Sequence, residues 1–104
     1  MTNYANGARA ERLAMSDLRR TGWECVRSAG SHGAVDVVAW NDAGARLIQV
    51  KKDTYVSAAE REDLQAMTAP ANATVEIWRR AGVGRTRRWI VEVWTGQAWQ
   101  EVGA

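Results

Sequence analysis

Between Gly7 and Arg20 the apolar residues Ala10, Leu13, Ala14 and Leu18 recur at three- and four-residue steps, the stripe of an amphipathic helix that Gly22 ends. Glu11 borders that stripe, whereas Arg12 points about a third of a turn away. Met1 to Asn6 carries no such pattern and is expected to be loose or to lie against a partner. Three strands are predicted next: Trp23 to Ala29, Ala34 to Trp40 and Ala45 to Lys52. The turns between them are Gly30-Ser31-His32-Gly33 and Asn41-Asp42-Ala43-Gly44. Val35 to Trp40 is almost continuously apolar, as expected of a strand covered on both faces, and Asp36 alone interrupts it. Ser57 with Glu60 three residues on forms a capping box for a second helix, whose apolar stripe is Ala59, Leu64 and Met67 and whose exit is Pro70. Thr74 to Trp78 reads as a strand of mixed alternation, Trp89 to Trp94 as another, and Trp99 to Val102 as a short closing one. Helix, three strands, helix, then two or three strands predict an α/β fold: one domain over residues 1–104, with a mixed central sheet flanked by helices.

Composition narrows the function. Forty-six per cent of the 104 residues are hydrophobic and 25% charged, enough for one core and too few residues for a second. The net charge of +2 is too small to argue for nucleic acid, but twelve of the fourteen basic residues are Arg, the side chain suited to two-pronged phosphate contacts. They bunch at Arg9, Arg12, Arg19 and Arg20, and again at Arg79, Arg80, Arg85, Arg87 and Arg88. One cysteine and one histidine exclude an internal disulfide and a zinc site built from several Cys or His. No apolar run approaches the roughly 20 residues that cross a bilayer, and the N-terminus lacks a signal-like apolar stretch, so a soluble cytoplasmic protein without membrane partners is expected. Six tryptophans, with both faces of Trp89 to Trp94 substantially apolar, favour self-association, although core packing explains any one of them as well.

The candidate chemistry lies in Asp36 and Gln49-Val50-Lys51. Gln49 and Lys51 project from one face of their strand, and Asp36, across a short turn, can stand opposite them. A carboxylate in an apolar strand has to be paired or hold a metal, because burying it alone costs several kcal/mol. Asp36 and the Gln49 amide oxygen, with the Val50 carbonyl, are oxygen ligands suited to Mg²⁺ or Mn²⁺, and Glu11 would add a second carboxylate if the first helix packs over these strands. Lys51 would position the attacking water or stabilise the transition state of phosphodiester hydrolysis. The bland readings are an Asp36 that caps a turn or pairs with Arg27, and a Gln49 and Lys51 on the solvent side of an edge strand.

Gly7-Ala8-Arg9-Ala10-Glu11-Arg12, Gly22 to Ser31, Val35-Asp36-Val37-Val38 and Ile48-Gln49-Val50-Lys51 resemble the archaeal-type Holliday junction resolvases of the PD-(D/E)xK nuclease superfamily. The resemblance is dense over residues 7–52 and implies a restriction-endonuclease-like core. It also implies a homodimer that binds a four-way DNA junction and makes paired nicks with Mg²⁺. Glu11, Asp36 and Lys51 match the family's acidic and core-motif positions, Arg12 and Arg27 its basic active-site face, and Ser31 a serine in the loop before the metal-binding strand. Gln49 departs from the usual Glu, which removes one negative charge and implies weaker metal affinity. The loop Gly30 to Ala34 is one residue longer than the usual form, and His32 within it is a solvated residue or a phosphate contact. Arg9, Arg12, Arg27, Lys52 and the group Arg79 to Arg88 are expected to bind phosphates, which position a duplex without reading its sequence. Three alternatives stay open: a nuclease of flapped, nicked or single-stranded DNA, a non-catalytic DNA-binding relative with Gln49 as the trace of lost activity, and a partner domain with no DNA role.

Overall fold

The computed structural model describes residues 2–28 and 33–103, with side chains from residue 7 onward. A 19-residue helix α1 (Thr2–Arg20) is followed by β1 (Glu24–Arg27), β2 (Val37–Asn41), β3 (Gly44–Lys51), helix α2 (Ala58–Gln65), β4 (Ala73–Ala81), β5 (Arg88–Trp94) and β6 (Trp99–Val102). The helix begins well before the expected Gly7, so residues 2–6, read as loose, are helical. Once a helix is nucleated, each added residue gains a backbone hydrogen bond at small further cost.

All six strands form one sheet in sequence order. Every neighbouring pair is antiparallel except β3 and β4, which run parallel because the α2 crossover joins them. The β2–β3 hairpin closes with Asn41 opposite Gly44, and the Asn41 side chain accepts the Ala43 N–H at 2.8 Å. Gly44 is required there: its φ is +147°, and a Cβ would lie 2.2 Å from the Asn72 carbonyl oxygen.

α1 lays Ala10, Ala14 and Leu18 on one face of the sheet, against Cys25, Val37, Ala39, Ile48, Val50, Trp78, Trp89 and Val91. On the opposite face Leu64 of α2 packs with Val75 and Ile77, flanked by Leu47, Trp94 and Trp99. The strand buried on both faces is therefore β4, over Val75 to Trp78, and not β2 as the apolar run suggested. In β2 only Val37 and Ala39 are buried, under α1, while Trp40 is exposed, because α2 covers the sheet farther along. Of the six tryptophans Trp40 alone is exposed. Trp78 meets Trp89 at 5.5 Å and Trp94 meets Trp99 at 5.3 Å, so internal packing accounts for these four.

The buried carboxylates are matched. Glu76, 2% exposed, accepts two hydrogen bonds from Arg46 at 2.8 and 2.9 Å, with further donors in Thr74 and Trp78. The Arg46 guanidinium lies near the Trp23 and Trp78 rings. Glu92 accepts from Arg61 and Arg79. Burial alone would raise its carboxyl, and the two guanidiniums outweigh that and hold it below the ordinary range.

Candidate active site

β2 starts at Val37, and Asp36 immediately precedes it. The Asp36 backbone still bridges the neighbouring strands: its N–H donates to the Ile48 carbonyl and its carbonyl accepts from Ser28, both at 2.8 Å. Its carboxylate takes the Val50 N–H at 2.9 Å, occupying the position where strand pairing gives way to a side chain. The paired register ends with Val37 opposite Ile48; Asp36 is tied to Ile48 and Val50, on either side of Gln49, whose side chain shares the Leu47 face of β3. Lys51, two residues on, shares that face. The bonds to Ile48 and Val50 fix Asp36 at the edge of β3 beside Gln49.

The environment of Asp36 is restrictive. Burial raises its carboxyl from 3.8 to about 6; the Val50 N–H and Lys51 pull it down, and the negative charges of Glu11 and Glu60 push it up. Glu11 reaches this region from α1 and is held by Arg27, whose Nε donates to Oε1 at 2.8 Å, both side chains being about one-fifth exposed. Arg27, expected to touch phosphate, thus spends part of its capacity on Glu11.

Lys51 has a partner that the sequence reading placed only in a helix cap. Its Nζ lies 2.5 Å from Glu60 Oε2, while Glu60 Oε1 accepts the Ser57 N–H at 2.8 Å in the capping box. Burial alone would raise the Glu60 carboxyl; the Lys51 ammonium and the Ser57 donors outweigh it and hold it below the ordinary range. The signal was present in the sequence: a short connection, residues 52–57, returns the first turn of α2 to the end of β3, and the capping box sets Glu60 there.

Gln49 Oε1 is buried and has no hydrogen-bond partner. An orphaned amide oxygen is costly unless something accepts its lone pairs, and the next residue, Val50, is bonded to the partly desolvated Asp36 carboxylate. Two such hard oxygens suit a divalent cation of the Mg²⁺ class, which completes its shell with water and main-chain carbonyls. Among the described residues no group of three or more His, Cys, Asp or Glu side chains is placed to hold a metal ion, while the negative charge of Glu11 is felt at Asp36. Val50, expected to offer its carbonyl, makes its observed contact with Asp36 through its N–H.

The basic residues separate into two groups. Arg9, Lys52, Arg80 and Arg87 line a cleft of about 410 Å³ with Ala10 and Leu13. Arg80 there lies 4.9 Å from the Trp89 ring, and its buried Nε has no partner. Arg79, grouped with these in sequence, points to the opposite face, where it holds Glu92 and donates to the Thr54 carbonyl. Arg12, Arg85 and Arg88 are exposed. Ser31 and His32 lie outside the described residues. Among the described residues no helix is long and apolar enough to cross a membrane.

Comparison with known proteins bears on this geometry. Residues 2–78 match the family model described as archaeal Holliday junction resolvase (hjc). No curated protein sequence matches the chain. The solved structure of Hjc, a Holliday junction resolvase from the archaeal hyperthermophile Archaeoglobus fulgidus, is similar at a TM-score of 0.64 and 27% identity, over 80% of this chain and 72% of that one.

Proposed function

The chain belongs to the archaeal Holliday junction resolvase family, and from that premise we propose that it is a metal-dependent endonuclease that nicks four-way DNA junctions through Asp36, Gln49 and Lys51. It is a structure-selective nuclease of branched DNA. The observation that carries the residue assignment is the buried Gln49 oxygen, unpartnered among the described residues, next to the Val50 N–H that holds the Asp36 carboxylate, with Lys51 on the Gln49 face of β3.

Asp36 and Gln49 are the side chains that would hold Mg²⁺, with Mn²⁺ as its substitute, and the Val50 carbonyl would add a main-chain oxygen. When bound, the cation supplies Lewis-acid activation of the scissile phosphate and a more acidic water. Lys51, whose ammonium is held by Glu60, would orient the attacking water and offset the charge gained as the phosphorus becomes five-coordinate. Glu11, held by Arg27, adds negative charge at the rim of the site and keeps that guanidinium beside the reacting phosphate.

The cleft of Arg9, Lys52, Arg80 and Arg87 begins one residue beyond Lys51 and takes phosphates flanking the cut, with Arg12 on the exposed side of α1. Ser31 would contact the same strand from the loop ahead of β2. Each chain carries one such site, whereas resolving a junction takes two matched cuts, so the working unit is a homodimer whose twofold axis answers that of the substrate. Residues 1–104 act as a single nuclease domain.

The test is a nicking assay on a synthetic four-way junction with Mg²⁺, beside a linear duplex and a flap. The wild type is expected to nick the junction in preference to both. Asp36→Ala and Lys51→Ala should keep junction binding, because the arginine contacts remain, and lose cleavage by orders of magnitude. Preferred cutting of the flap would move the substrate assignment to repair intermediates; junction binding with no Mg²⁺-dependent nicking would leave a non-catalytic DNA-binding protein.

A further inference from the structure

Position 49 carries an amide, so the two proposed oxygen ligands, Asp36 and Gln49, bring one negative charge, that of Asp36. Lys51 on the same face brings a positive charge that opposes a cation. The Glu11 carboxylate is matched by Arg27 at 2.8 Å. Counting only these four ionisable groups, the site is neutral overall and a poor electrostatic host for a divalent ion. Glu60 changes the count. Its Oε2 lies 2.5 Å from Lys51 Nζ, and its charge is felt at Asp36. Three carboxylates against two cations leave the site with one net negative charge.

We infer that Glu60, from the first turn of α2, supplies the negative charge that Gln49 lacks, and is the positioning residue that lets this site hold a divalent cation beside Lys51. The inference rests on the metal-site reading above and adds to it a residue on another element. Glu60 acts through Lys51: it neutralises the ammonium toward the metal and fixes its direction. The other half of the same carboxylate is tied to the Ser57 N–H, so the side chain cannot leave Lys51 without also giving up the helix cap.

The chemistry of the cap makes the test clean, because Gln at that position preserves the capping box while removing the charge. DNA-free protein is titrated with Mn²⁺, and the EPR signal of the free aquo ion reports binding. Glu60→Gln should weaken Mn²⁺ binding about tenfold, in the range of metal-site partners that act from outside the ligand shell. Gln49→Glu should tighten it, and Gln49→Glu combined with Glu60→Gln should return the affinity to near the wild-type value, since the charge has been moved and not lost. Ser57→Ala, which weakens the cap and leaves the charge, should bind Mn²⁺ like the wild type.

Unchanged affinity in Glu60→Gln, with Asp36→Asn still abolishing binding, overturns the role of Glu60 and leaves the metal site standing. Equal weakening by Ser57→Ala overturns it as well, by making the effect one of helix integrity. Absence of Mn²⁺ binding by the wild type, or binding that survives Asp36→Asn, overturns both.

Discussion

At Asp36 burial and ionisation are in conflict. Desolvation is the largest influence on its carboxyl, and its value of about 6 lies above the 3.8 of an unperturbed aspartate. A carboxyl raised on folding favours the folded state while protonated, so its contribution is complete below about pH 4 and lost as the pH rises through about 6. At neutral pH the ionised side chain therefore costs stability, which a bound cation would offset. Asp36→Asn, which can still accept the Val50 N–H, should be more stable than wild type at pH 7 without metal, by about 1–2 kcal/mol after allowance for partial exposure. At pH 4 the two should coincide. Urea unfolding at both pH values checks this, and a variant less stable at pH 7 would contradict the desolvation argument. With Asp36 in the proposed metal-binding role, protons would compete with metal for the same oxygens, so the acid limb of activity should fall near pH 6 and move lower as Mg²⁺ is raised. Gln49→Glu should keep activity, or raise it at low Mg²⁺; a complete loss would mean that the amide does something a carboxylate cannot.

The site is assembled where elements end: Asp36 just before β2, Lys51 at the end of β3 and Glu60 in the first turn of α2. The β2–β3 turn sets the register that ends with Val37 opposite Ile48, beside Asp36, and it depends on a glycine. Gly44→Ala would drive a Cβ into the Asn72 carbonyl and should cost at least about 2 kcal/mol, read as a lower unfolding midpoint. Slippage of that register by one residue would send Gln49 and Lys51 to the α1 face. On that face, Arg46→Ala would leave Glu76 charged and nearly sealed from water with only Thr74 and Trp78 as donors, a loss of about 3–5 kcal/mol by chemical denaturation. Much of this was legible along the chain, because local rules decide it: the capping box at Ser57 and Glu60, the stripe on α1, and the alternation that pairs Gln49 with Lys51. The doubly covered strand was not, since a run such as Val35 to Trp40 records apolar side chains and carries no information on where a helix will land.

Across the whole molecule, the separation of the cations decides how DNA would be held. Arg9, Lys52, Arg80 and Arg87 gather on the α1 side beside the end of β3, whereas Arg46, Arg61 and Arg79 are committed to internal carboxylates. Arg9→Ala and Arg87→Ala should each weaken junction binding and lower the slope of log affinity against log salt by about one. Arg61→Ala should act mainly on stability. Fluorescence anisotropy over a salt series separates the two behaviours. As a homodimer, the DNA-free protein should sediment at twice the chain mass; a monomer at micromolar concentration would place pairing on the junction itself. The sequence alone determined the element order, the nature of the donor set and the Arg-rich character of the surface, because these follow from residue type and from spacing within a few positions. Tertiary structure alone decided that Glu11 is held by Arg27 and that Arg79 turns from the basic cleft to Glu92. These pairings join residues distant in sequence, and only the folded geometry of the sheet brings them within hydrogen-bonding reach.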